Sequence, residues 1–172
     1  YFQLADVLGV DQERFRTLSV DKYPPAAADA HFITADLPAQ ADFGEPIVNT
    51  YAINEQVTLL RATDGGDVQL AANDYGQGRG VYVSGLPYSA VNARLLERAL
   101  FYAAHAEDRY DAWSSTNPEC EVAVFPDAGT YCVVNNTDRP QSTRVRRADG
   151  GEDTFELAAS AIAWRATDGT DA

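Results

Sequence analysis

The stretch from Val57 to Ala104 constrains this chain most. Val57-Thr58-Leu59-Leu60 and Val68-Gln69-Leu70-Ala71-Ala72 are short β-type runs, and Asp64-Gly65-Gly66 is the turn between them. Gly76-Gln77-Gly78-Arg79-Gly80 leads into a third run, Val81-Tyr82-Val83-Ser84-Gly85-Leu86-Pro87. A helix is expected at once, from Ser89 to Glu107, with Ser89 as its cap. Val91, Leu95, Leu96, Ala99, Leu100 and Ala103 recur on one face at helical spacing, and Arg94, Glu97 and Arg98 fall on the other. Phe101 lies on the charged side, so a second layer is expected to cover it, such as the connector around Trp113. The organisation is definite, yet no residue in the stretch has an assignable chemical role.

The flanks are of two kinds. Tyr1 to Leu8 reads as the last turns of an amphipathic helix, with Gly9 where it stops. Asp11 to Tyr23 reads as a turn of helix and then a short strand near Arg16 to Val20. Pro24-Pro25-Ala26-Ala27-Ala28 reads as an extended loop. His31 to Ala35 reads as a strand or an ordered extended segment, and Pro38 to Pro46 as a loop. Asp108 to Pro118 is a polar, aromatic connector with Trp113 pinned down. Beyond it, short strands follow closely: Glu119 to Phe125, Thr130 to Asn135, Ser142 to Arg147, Thr154 to Leu157 and Ala161 to Arg165. The fold class expected is therefore α/β plus all-β, with an α/β domain over 1–109 and an antiparallel β sheet or small sandwich over 110–172. The chain has no Met and starts at Tyr1-Phe2-Gln3, which reads as a piece of a larger protein.

Composition narrows the partners. The chain holds 13 basic and 26 acidic residues, a net charge of −13, which repels nucleic-acid phosphates and anionic membranes. No apolar run approaches the roughly 18–20 residues of a membrane span. Solubility accounts for the acidity better than an acidic binding face does.

Cys120 and Cys132 are expected to stay unpaired. A hairpin centred on Pro126-Asp127-Ala128-Gly129 places Cys120 opposite Asn135 and Cys132 opposite Ala123. The sulfurs are then about 10 Å out of register along the strands. Disulfide Cα atoms must lie within about 7 Å. Two buried thiols in a reducing, cytoplasmic setting fit better.

Each chemical reading meets a plainer one. Gly76-x-Gly78-x-Gly80 is not a dinucleotide fingerprint, because the last glycine comes a residue early and a strand follows it. A hairpin loop is the expectation. Ser84-Gly85 sits where a hydrolase nucleophile could, but the elbow needs Gly where Tyr82 stands. His31 and His105 have no ligand partner at helical spacing, and with two Cys they make no zinc pattern. His105 is expected to serve the helix dipole. Pairs such as Glu107-Asp108 and Glu152-Asp153 read as solvated charge before they read as glycosidase carboxylates. No catalytic, cofactor-binding or metal-binding residue is assigned.

Three blocks carry a resemblance: Tyr1 to Val10, Asn73-Asp74-Tyr75-Gly76-Gln77-Gly78-Arg79-Gly80 through Ser89, and Trp113-Ser114-Ser115-Thr116-Asn117-Pro118-Glu119-Cys120 to Val122. They resemble the 1,3-β-galactosyl-N-acetylhexosamine phosphorylases, also called lacto-N-biose or galacto-N-biose phosphorylases. The resemblance runs along the whole chain. It implies a parent enzyme with an N-terminal β/α barrel that carries catalysis, then a domain like class I glutamine amidotransferases, then a small β domain. This chain corresponds to the later part. The implied reaction is inverting cleavage of a β-1,3-galactosidic bond with inorganic phosphate as nucleophile, aided by a barrel acid that is not in this chain. The implied partners are that barrel and the parent's substrates, phosphate and a β-1,3-galactosyl-N-acetylhexosamine, and a homodimer stays open. No cofactor is implied. The segment after Leu37 is expected to be longer and glycine-rich in family members, whereas Pro38-Ala39-Gln40-Ala41 alone joins Leu37 to Asp42 here. A second reading stays open, a stand-alone carbohydrate-binding or interaction module, with Trp113, Tyr131 and Trp164 as candidate stacking residues.

Overall fold

The computed structural model describes residues 2–14, 30–38 and 41–170. The strand expected near Arg16 to Val20 and the loop at Pro24 to Ala28 lie outside these residues, as does part of the segment after Leu37. The chain divides into two units, Tyr1–Ala106 and Glu107–Ala172.

In the first unit, a single helical turn, α1 (Ala5–Leu8), stops at Gly9, whose φ of 72° is left-handed. The chain then runs into β1 (Val10–Gln12), which pairs antiparallel with β2 (Thr50–Ala52). The helical turn expected from Asp11 is therefore strand at Asp11 and Gln12, and the β1–β2 pair had no clear signal in so short a run. His31 to Ala35 is not extended. His31 Nδ1 accepts the Ile33 N–H at 3.2 Å and starts a 3₁₀ turn at Phe32–Thr34.

The sheet of this unit has the order β3 (Thr58–Ala62), β4 (Val68–Tyr75), β5 (Gly78–Val83), joined by the two expected turns. Leu70 and Ala72 on one face pack with Ile33, Phe43, Leu95 and Ala99, while Ala71 and Tyr82 on the other pack with Val10, Ala52 and Val57. Cover on both faces explains why Leu70, Ala71 and Ala72 of β4 are apolar in succession and all buried. Every strand pairing among the described residues is antiparallel. The described architecture is mostly β, with few helices. The Asp64-Gly65-Gly66 and Gly76-Gln77 links are hairpin turns, too short for the crossover that parallel strands require.

Helix α2 (Ala90–Ala103) begins at Ser89, whose hydroxyl accepts the Asn92 N–H at 3.1 Å. It stops earlier than Glu107. His105 takes a left-handed φ of 53°. Its N–H donates to Tyr102 O, and the Ala106 N–H donates to Phe101 O, which closes a Schellman motif. The buried stripe also differs from the expected face. Asn92, Leu95 and Ala99 are buried, whereas Leu96 and Leu100 are 45% and 63% exposed. The helix is rotated because its polar residues find partners inward. Asn92 Nδ2 donates to Asp42 O and Pro87 O, and Arg98 donates to Phe32 O and pairs with Asp36. Phe101 is partly buried, and Trp113 packs on Tyr131 within the second unit at 4.9 Å between ring centres.

The second unit opens with the short helix α3 (Glu107–Tyr110). Two three-stranded antiparallel sheets follow. One has the order β10 (Glu152–Leu157), β9 (Gln141–Arg146), β6 (Ser114–Ser115). The other has the order β11 (Ile162–Ala166), β8 (Thr130–Asn135), β7 (Cys120–Phe125). Cys120, Tyr131, Val133, Val145, Phe155 and Leu157 fill the core between them. Cys120 pairs with Asn135 and Cys132 with Ala123, the expected register. Both thiols are free and buried.

Candidate functional site

The residues that carry the resemblance hold the fold together. Asn73 and Gly80 face each other across β4 and β5. Asn73 Nδ2 donates to Asp6 O at 3.0 Å and Val7 O at 3.1 Å, which satisfies carbonyls at the end of α1. A Cβ on Gly80 would lie 2.1 Å from Val7 O, so only glycine lets α1 rest on the hairpin. The glycine-rich segment is thus a hairpin with a helix seated on it, and no ligand cradle. Arg79 of the same segment stacks over the Tyr102 ring at 4.4 Å and donates to Tyr102 O.

The block from Trp113 behaves alike. Ser115 Oγ and Thr143 Oγ1 lie 2.7 Å apart, and Ser115 Oγ donates to Asn117 O. Asn117 Nδ2 reaches Gln141 Oε1 and Ser142 O, and Asn117 Oδ1 accepts the Glu119 N–H. These bonds fasten the connector to β9.

The residues weighed for catalysis are not brought together. Ser84 Oγ is buried and hydrogen-bonds to no group among the described residues, a base included. His31 caps the 3₁₀ turn and meets the Tyr102 ring edge-on at 4.9 Å. His105 ends α2 through its backbone. Glu152 pairs with Arg144 on the surface. No group of three or more His, Cys, Asp or Glu among the described residues is arranged to hold a metal. No helix among them is long and apolar enough to cross a membrane.

A further polar cluster lies in the second unit; the sequence suggests other roles for Tyr131 and Asp153 and does not join them with Arg147. The Tyr131 hydroxyl donates to Asp153 Oδ2, and Arg147 Nη1 donates to Asp153 Oδ1 at 2.7 Å. Arg147 also grips Asp149 through Nε and Nη2. Burial alone would raise the Asp153 carboxyl, but the bonds from Tyr131 and Arg147 hold it below the usual carboxylate range. Burial, and then the bond to Asp153, pushes the Tyr131 phenol up. Tyr131 is 0% exposed and the Arg147 and Asp153 side chains are each 14% exposed, so that end of the cluster anchors a core, while Asp149 stands on the surface. The available signal was the alternation of Tyr131 with Val133 on the inward face of β8.

Open apolar surfaces occur in both units among the described residues. A groove of about 600 Å³ in the first unit is lined by Phe2, Leu4, Leu8, Ile47, Val81 and Val83, with Arg14 at its side. In the second unit, Trp164 and Phe125 are 52% and 44% exposed, their ring centres 5.5 Å apart. Of the three candidate stacking residues, Tyr131 is in the core, Trp113 packs on it, and Trp164 alone is exposed.

Comparison with known proteins gives one consistent answer. A family model described as the lacto-N-biose phosphorylase central domain matches residues 1–108, and one described as the C-terminal domain of the same enzyme matches residues 113–165. A 1,3-β-galactosyl-N-acetylhexosamine phosphorylase of Bifidobacterium longum is 59% identical over 96% of this chain and 26% of its own length. A 1,3-β-galactosyl-N-acetylhexosamine phosphorylase of Lachnoclostridium phytofermentans is 43% identical over 95% of this chain and 22% of its own length. A D-galactosyl-β-1→4-L-rhamnose phosphorylase of the same bacterium is 26% identical over 84% of this chain. The chain thus spans about a quarter of the length of the curated relatives it matches. The bifidobacterial alignment runs to 195 positions, while 96% of 172 residues is about 165, so about 30 positions stand opposite gaps in this chain. That excess fits a longer segment in that relative, and the 164-position alignment with the Lachnoclostridium protein has none.

Proposed function

This chain belongs to the lacto-N-biose phosphorylase family, and we propose that it is the non-catalytic C-terminal portion of such an enzyme. The whole protein would use inorganic phosphate to cleave β-1,3-galactosyl-N-acetylhexosamines, giving galactose 1-phosphate and the N-acetylhexosamine. One observation carries the reading: the motif residues that link the chain to the family, Asn73, Gly80, Ser115 and Asn117, are engaged in holding its own elements. The general acid and the phosphate ligands would come from a barrel elsewhere in the polypeptide. In that scheme 1–109 is a partial amidotransferase-like domain and 110–172 the C-terminal β domain, in a cytoplasmic enzyme that can form a homodimer. The amidotransferase likeness brings no thiol chemistry, since Cys120 and Cys132 both lie in the β unit.

The test is phosphate-dependent release of galactose 1-phosphate. The parent-length protein should produce it from lacto-N-biose, and the isolated 172-residue chain should not. Turnover by rigorously purified chain, lost on substituting a carboxylate within it, would defeat the proposal.

A second reading, a stand-alone carbohydrate-binding module, draws on the exposed Phe125–Trp164 pair. Titration of the chain with galactose, N-acetylglucosamine and N-acetylgalactosamine, followed by tryptophan fluorescence, decides it. Saturable quenching abolished by Trp164→Ala would favour this reading.

A further inference from the structure

The outer face of the β11-β8-β7 sheet is unusual for a chain this acidic. Strand alternation sends Tyr131 and Val133 inward to the core. The alternate set points away: Phe125 and Ala123 on β7, Val134 on β8, and Ile162 and Trp164 on β11. Phe125, Ile162 and Trp164 are 44%, 57% and 52% exposed. The Phe125 and Trp164 rings meet at 5.5 Å and 32°, although a strand separates their backbones. They lean together above the central strand, where Cys132 is 5% exposed. An exposed apolar patch of this kind, centred on Trp and Phe, marks a binding surface.

Its chemistry favours a protein surface over a sugar. A sugar site needs several convergent hydrogen-bonding groups beside the aromatic ring. The cross-strand partner of Trp164 is Cys132, and that of Cys132 is Ala123. The charged member of the outward set is Glu121, which already accepts from Asn136 Nδ2.

We propose that this face docks against the part of the polypeptide that lies outside these 172 residues, through an apolar patch rimmed by Arg or Lys. The proposal rests on the reading that the chain is one portion of a longer phosphorylase. Two observations choose this occupant. The relatives are about four times longer than the segment matched here, and a covalently tethered surface competes at an effective concentration in the millimolar range. The exposed acids Glu121, Asp127 and Asp168 stand on or beside the strands of the patch. In a two-fold contact between copies the same patch meets itself, which sets acid against acid in chains that each carry −13.

Hydroxyl-radical footprinting with peptide mass spectrometry tests the surface directly, on the 172-residue chain and on the parent-length protein. Trp164 and Phe125 should be oxidised readily in the chain, and roughly ten-fold more slowly in the parent-length protein. That protection should persist on dilution and without sugar. As a second measurement, Trp164→Ser with Phe125→Ser should leave the melting temperature of the chain nearly unchanged and lower that of the parent-length protein.

Equal oxidation in both proteins would overturn the proposal, as would protection already present in the chain. Protection lost on dilution would assign the face to a second copy. Protection that requires galactose or an N-acetylhexosamine would assign it to a ligand. Either result overturns the proposal. Phosphorolysis by the same parent-length sample separates the two ideas. An active enzyme with unprotected Trp164 refutes the docking face alone, and an inactive protein with protected Trp164 refutes the phosphorylase reading alone.

Discussion

Tyr131 shows how one side chain can serve two needs. Its ring fills the centre of the β unit, between Trp113 at 4.9 Å and Phe155 at 6.1 Å. Its hydroxyl ends on Asp153, which Arg147 holds from the other side. Tyr131→Phe keeps the ring and removes one hydrogen bond to a charged acceptor. The expected loss is about 1.5–3 kcal/mol in urea unfolding. A loss below about 0.5 kcal/mol would mean that Arg147 alone satisfies Asp153. On α2 a different pair of residues separates burial from hydropathy. Leu95 is 2% exposed and Leu100 is 63% exposed. Leu95→Ala should cost about 2–5 kcal/mol, and Leu100→Ala less than about 0.5 kcal/mol. Equal costs would contradict the helix rotation described above. Leu100 misleads a reader of the sequence because spacing alone treats every apolar residue as inward. Asn92 is the residue that fixes the true face, and it does so with hydrogen bonds to Asp42 O and Pro87 O that no periodicity reveals.

Among the elements, the β4–β5 hairpin is the one on which others are built. It carries α1 on one side through Asn73 and Gly80, and α2 on the other through Leu70 and Ala72. Gly80→Ala forces a methyl group against the Val7 carbonyl, and overpacking of this kind costs about 1–3 kcal/mol. Asn73→Ala acts on the same contact from the facing strand by leaving the Asp6 and Val7 carbonyls without that donor. If the two act through one contact, the double variant should lose less than the two single losses added together. Strict additivity would show that they act independently. The strands of the β unit were legible because alternation and turn residues agree over Cys120 to Ala166, down to the pairing of Cys120 with Asn135. The antiparallel sheet of the first unit was legible as runs and turns. The pair β1–β2 was not, because strands of three residues carry almost no period and their partners lie some 40 residues apart. The 3₁₀ turn at Phe32–Thr34 depends on the His31 imidazole accepting a backbone N–H, a local side-chain bond that competes with the extended form. The Tyr131–Asp153–Arg147 cluster needs three strand ends to meet, which register fixes and composition does not.

At the scale of the whole chain, each unit holds a buried tyrosine whose phenol is pushed up, Tyr82 in the first and Tyr131 in the second, so alkaline pH acts on both. Burial first, and the Asp67 carboxylate second, push the Tyr82 phenol up to about 12. Tyr131 is raised by burial and by its bond to Asp153. Unfolded tyrosines ionise near pH 10. Below that value both states keep the phenol neutral, and its contribution to stability is fully present. As pH rises further the unfolded chain loses its protons first, so stability falls until the folded phenols ionise as well. For Tyr82 the window runs from about pH 10 to about 12, and the loss reaches up to about 3 kcal/mol at about 1.4 kcal/mol per unit. The Tyr82 hydroxyl has no hydrogen-bond partner among the described residues, so Tyr82→Phe should cost little at pH 8. It should then flatten the decline of the first unit above pH 10. Tyr131→Phe should lower stability at pH 8 and flatten only the second unit. The two can be followed separately, because Trp113 and Trp164, the two tryptophans of the chain, both lie in the second unit. Tryptophan emission reports that unit, and far-ultraviolet circular dichroism reports both. Urea unfolding at pH 8, 10 and 11 by the two probes gives the comparison. If wild type and Tyr82→Phe lose stability in parallel above pH 10 by circular dichroism, Tyr82 is not the group that senses alkali.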